Sequence, residues 1–104
     1  MFKMEIALDT QKIENEGVYE PSEITRQLDK LFAKMNIQKL GEGLYTGGDF
    51  AGYGSAILFL KKQPWFMSYV DKWLWYNSDG SDREEDFTVE DVAAHYKNQA
   101  THRA

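Results

Sequence analysis

Pro64-Trp65-Phe66-Met67-Ser68-Tyr69-Val70-Asp71-Lys72-Trp73-Leu74-Trp75-Tyr76 contains every tryptophan of the chain and six of its aromatic residues. Placed on a helical wheel, Trp65, Phe66, Tyr69, Val70, Trp73 and Tyr76 fall within about 140° of arc. Leu74 and Met67 widen that stripe, and Ser68, Asp71 and Lys72 take the other side. Pro64 suits a first helical turn. The spacing therefore predicts a helix over 64–77, packed by its broad apolar face on a sheet and on a following helix. Trp75 falls among the polar positions, so it is expected to stay partly exposed, with Tyr76 beside it. Tryptophan and tyrosine are favoured anchors of protein interfaces.

An acid run follows. Between Asp79 and Asp91 stand Asp79, Asp82, Glu84, Glu85, Asp86, Glu90 and Asp91 against a single base, Arg83. The remainder carries ten acids and eleven bases, so these thirteen residues set the formal net charge of −5. Like charges this crowded repel unless something positive meets them. The expected interface therefore comprises Trp73, Trp75, Tyr76, Asp79, Asp82, Glu84, Glu85 and Asp86. It would serve either a protein partner or a second copy of the chain.

Outward from this stretch, Phe2, Met4, Ile6 and Leu8 alternate with Lys3, Glu5, Ala7 and Asp9, which predicts a half-buried strand. Residues 11–20 are polar and read as a loop. Pro21-Ser22 opens a helix whose stripe is Ile24, Leu28, Leu31, Phe32 and Met35, with Asn36 as its stop. Ile37 to Tyr45 reads as a second strand, loosened by Gly41 and Gly43 with a bulge. Gly47-Gly48-Asp49 is a turn signal. The apolar run that closes Tyr53 to Leu60 predicts a third, central strand. Thr88 as N-cap, Asp91 in the first turn and the pair Phe87 and Val92 as a staple predict a last helix over 89–98, with 99–104 frayed.

The class that results is α+β, one domain over 1–104. It comprises a small three-stranded sheet with helices on one face, in the order β-α-β-β-α-α. That order resembles an incomplete ferredoxin-like sandwich whose last strand is missing or replaced by a helix. The resemblance covers element order alone and implies no functional residue.

Composition narrows function. The chain has 42% hydrophobic residues, 28% charged residues and no cysteine, which excludes disulfides, thiolate metal sites and cysteine nucleophiles. Its longest apolar run, Ala56 to Leu60, is far shorter than a membrane span. With no signal segment at Met1-Phe2-Lys3-Met4, the expected setting is the cytoplasm, without a membrane partner. A pI near 4.9 disfavours direct nucleic-acid binding. Asn77-Ser78-Asp79-Gly80-Ser81-Asp82 is oxygen-rich. Aligned as a calcium loop on Gly80, however, it places Trp75 where a carboxylate is required. No metal or cofactor is expected. The Gly-x-Gly pairs at 41–43 and 52–54 lack a dinucleotide-binding continuation. His95 and His102 make no catalytic constellation.

The leading expectation is a non-enzymatic protein–protein interaction or accessory domain, contacting through 64–77 and 79–91. One alternative is an acidic decoy for a nucleic-acid-binding protein. The other is a small-ligand binder or enzyme with a cleft near the glycine-rich hairpin 41–54, lined by Tyr45, Asp49 and Tyr53.

Overall fold

The computed structural model describes residues 1–80 and 83–102. The described elements run β1 (Phe2–Leu8), α1 (Thr10–Glu16), α2 (Pro21–Lys34), β2 (Ile37–Gly41), β3 (Leu44–Gly47) and α3 (Phe50–Leu60). They continue with α4 (Pro64–Met67), β4 (Val70–Asn77), a 3₁₀ turn (Glu84–Asp86), β5 (Thr88–Asp91) and α5 (Val92–His102). The class is α+β. The sheet has five strands rather than three, all antiparallel, in the order β2-β3-β1-β4-β5. The ferredoxin-like element order is thereby corrected.

β1 forms as its alternation dictates and becomes the central strand. Met4 faces Tyr45 of β3 on one side and Trp75 of β4 on the other. Register therefore puts Met4, Ile6, Tyr45, Trp73 and Trp75 on one face, and Lys3, Glu5, Leu74 and Tyr76 on the opposite one. The first face is covered. Phe32 of α2 stacks on Tyr45, Tyr53 of α3 on Trp75, and Phe66 of α4 and Tyr96 of α5 meet Trp73. Ile13 of α1 joins the same core.

The 64–77 helix is the largest correction. Only Pro64–Met67 is helical, and Val70–Asn77 is the strand that pairs with β1 along its length. The pairing with β1 shifts register between Ala7 and Leu8, so Val70 and Trp73 are both buried although three residues apart. Such a bulge mimics helical spacing. Valine and aromatic side chains then favour the strand.

The opposite correction applies to Tyr53–Leu60, which is helix. Asp49 caps it by accepting from Gly52 N at 2.7 Å, and Tyr53, Ala56, Ile57 and Leu60 face inward at helical spacing. The single strand over 37–45 is a hairpin, β2 and β3, turning at Glu42-Gly43 with a register shift near Gly41. Of residues 11–20, read as loop, 11–16 belong to α1, because Asp9 accepts from Lys12 N and Gly17 ends the helix left-handed.

The last helix begins at Val92. Asp91, not Thr88, accepts the capping bond, from Ala94 N at 3.0 Å. Thr88 belongs to β5 and donates to Asn77 O, and Phe87 packs by Tyr76 rather than Val92. Backbone of α5 reaches His102, so of the expected frayed tail only 103 and 104 lie outside the described residues. α2 follows its stripe, and Asn36 stops it at φ 60°.

Candidate functional site

Strand alternation divides the expected interface. Trp73 is fully buried; its Nε1–H points at Met4 Sδ at 3.3 Å, and the edge of Phe66 lies 4.9 Å away. As core it leaves the set of surface anchors. Trp75, two residues on, stacks with Phe2 and Tyr53 and lies 5.3 Å from Phe50. Its ring is half-buried, and its Nε1–H has no hydrogen-bond partner among the described residues.

Tyr76 points the other way, onto the face that carries no helix. There its hydroxyl donates to Glu5 Oε1 at 3.1 Å, and Glu5 also meets Lys72 at 3.5 Å. Burial, with the Glu5 hydrogen bond second, raises the Tyr76 pKa above the usual tyrosine value. The ring of Phe87 stands against Tyr76, with Lys3 over it at 5.0 Å. Trp75 and Tyr76 thus cannot contact one partner surface together.

Of the expected acids, Asp79 is exposed, and Glu84, Glu85 and Asp86 form an exposed 3₁₀ turn. Asp82 lies outside the described residues. Arg83 folds back onto Glu85 and onto Asp86, at 3.8 Å from the latter, which offsets part of the negative field. Glu90 lies on β5. A groove of about 380 Å³ joins it to Thr88, Val89, Asn77, Trp75 and Phe50, so Trp75 and one acid of the run share a surface.

The residues expected around the glycine-rich hairpin separate. Tyr45 is buried, donates to Asp29 Oδ1 at 2.8 Å, and shares that carboxylate with Lys39 at 2.9 Å. It lines a cavity of about 460 Å³ with Thr10, Ser22, Thr25, Glu42 and Gly43. Asp49 is the cap of α3, and Tyr53 lies in the core under Phe2 and Trp75. Among the described residues, no three His, Asp or Glu side chains gather as a metal site requires. Likewise no described helix is long and apolar enough to cross a membrane.

Tyr53 carries a testable anomaly. It is fully buried, its hydroxyl has no hydrogen-bond partner among the described residues, and burial pushes its pKa up to about 12. Burial, then the Asp29 hydrogen bond, raises Tyr45 as well. An unfolded tyrosine titrates near 10. Above that pH the unfolded chain loses protons the fold retains, so the contribution of these tyrosines to stability is level below about pH 10 and declines as pH rises. The slope is about 1.4 kcal/mol per pH unit for each such tyrosine. Tyr53→Phe is expected to flatten the decline, and to be neutral or stabilising at pH 7 because an unmade hydrogen bond disappears. Urea midpoints between pH 8 and about 11.5 measure this. An unchanged alkaline slope contradicts it.

The feature the sequence reading missed is the outer side of α3. Phe50, Leu58 and Phe59 are 62%, 52% and 46% exposed, and Ala51, Gly54 and Ser55 lie between them. From Phe50 to Leu60 no residue is charged. Once the segment is read as a helix, the signal is visible: residues 53, 56, 57 and 60 take one side, and an equally apolar set takes the other. Beyond Phe59 a second groove, about 280 Å³, is lined by Tyr19, Glu23, Ile24, Gln27, Phe59 and Trp65.

Comparison of the chain with protein-family models and with curated proteins gives no match.

Proposed function

We propose that the protein is a non-enzymatic protein–protein interaction domain whose contact surface is the outer side of α3, extended past Phe50 to Trp75 and Glu90. The observation that carries this reading is the exposure of Phe50, Leu58 and Phe59 on one uncharged helix. Fully burying a side chain of this kind is worth about 1.5–3 kcal/mol, roughly half of which these half-exposed residues forgo, and contiguous apolar patches mark contact sites. The groove between Phe50 and Glu90 supports a role for Trp75 and the acidic segment at the margin of that surface.

A photo-crosslinking residue at Leu58 is expected to capture protein in cells, whereas the same residue at exposed Lys34 on α2 is not. Equal capture at both sites, or none at either, overturns the proposal.

A specific observation favours a second reading, a small-ligand binder. The cavity at the Glu42-Gly43 turn has ligand size, and four hydroxyl-bearing residues and a carboxylate line it. Its occupant would shift the amide resonances of Thr25 and Glu42 rather than those of α3.

A further inference from the structure

Nothing packed against Gly54 in the single chain requires a glycine there. A Cβ at that position would meet nothing within 4 Å, whereas one at Gly52 would press on Met35 O at 3.3 Å. Inside a helix, glycine is less favourable than alanine. Gly54 therefore keeps open a space that this chain does not fill, in the middle of its most exposed apolar surface.

The residues around that space are self-complementary. Reversing α3 about the midpoint of Gly54 and Ser55 exchanges Phe50 with Phe59, Ala51 with Leu58, and Gly54 with Ser55. Ala51 and Leu58 lie within about 20° of each other around the helix, so large meets small there, while Phe50 and Phe59, about 180° apart, border the contact on opposite sides. We propose that α3 packs antiparallel on α3 of a second copy of this chain, about a two-fold axis through Gly54 and Ser55. This rests on the interaction reading above and names its partner.

Leu58 of each copy would enter the space over Ala51 and Gly54 of the other, and the small residues would allow an interaxial distance of about 8 Å. A two-fold contact needs a patch that complements itself, as this one does. Charge supports the direction. Asp49 stands at one end of the helix and Lys62, exposed, just past the other. Antiparallel pairing brings these unlike charges together, and a parallel pair would bring like charges together. The helix dipoles favour the same direction. An 11-residue helix presents about 16 Å of length. A face that short buries less than about 1,200 Å² in total, which places the dimer among weak, micromolar associations.

Sedimentation velocity over about 1 μM to 1 mM is expected to show a monomer–dimer equilibrium. Gly54→Leu fills the space with a good helix former and is expected to raise the dissociation constant at least about tenfold while leaving the circular dichroism unchanged. The chain has no cysteine, so Ser55→Cys is a clean probe. Oxidation with copper phenanthroline is expected to link it into a disulfide dimer, and not to link Ala33→Cys on α2. A wild-type monomer throughout, or a dimer indifferent to Gly54→Leu, overturns the self-pairing. If that monomer is still captured at Leu58 by a different protein, the interaction reading stands without it. If it is captured by nothing, both readings fail.

Discussion

Trp73→Ala is expected to remove about 4 kcal/mol of stability, within the range for emptying a buried aromatic site. A domain of this size holds only about 5–15 kcal/mol, so the variant should lose a large fraction of its stability and melt at a markedly lower temperature. The size of the effect follows from position. Trp73 is fully buried on the second most central strand, paired with Ile6 and packed between Phe66 and Tyr96. Removing the indole leaves α4 and α5 without their shared neighbour on the sheet, and deprives Met4 Sδ of its donor. Trp73→Phe retains most of the volume and is expected to cost less than half as much. Thermal melts of both variants beside Trp75→Ala measure the ranking. Because Trp75 is half-buried, its truncation should be the milder. The reverse order would mean that Trp75, not Trp73, holds the layers together.

The next largest effect is expected at Gly43, in the turn between β2 and β3. Its φ is +74°, and a Cβ there would run into the carbonyl oxygen of Ile6 on β1. The two backbones are joined at that point, since Ile6 N donates to Gly43 O at 2.8 Å. Alanine must therefore adopt a left-handed conformation, at about 1–2 kcal/mol, and also push the hairpin away from the central strand. A total of about 3 kcal/mol is expected, at the upper end of the usual range for point variants. Gly47 supplies the control. It has φ +81° with open space around it, so Gly47→Ala carries the conformational cost alone. Chemical denaturation should separate the two variants by about 2 kcal/mol; equal costs would show that no steric contact with Ile6 is involved.

Some of the fold was legible in the residues. β1 and α2 each matched one period with no rival, and Asn36 marked the end of α2 by its tolerance of positive φ. Two segments exchanged identities because local pattern fits both states. The bulged spacing of Val70 and Trp73 imitates a helix, and the short apolar run Ala56–Leu60 imitates a buried strand. Tertiary context decides such ties: β1 needed a partner on its free edge, and β4 supplied it.

The exchange also moved the candidate site. With α3 taken as a strand, its second apolar side had no meaning. With β4 taken as a helix, Trp73 and Tyr76 shared one arc and Trp75 stood apart, although a strand puts the two indoles on one face and sends Tyr76 to the other. Only Trp75 remains beside the newly exposed surface, through its contact with Phe50.

The central position of β1 governs the order in which the molecule assembles. Its partner Asn77 lies far along the chain from Phe2, while the hairpin Ile37–Gly47 and the helix α2 close short loops. Local pieces of this kind form in microseconds, and a pairing that must close a long loop waits on chain entropy. During synthesis, Phe2–Leu8 emerges well before its partner and stays without its β4 edge until Val70–Asn77 has left the ribosome. For most of that interval Met4 and Ile6, later the floor of the core, are exposed to whatever binds nascent chains.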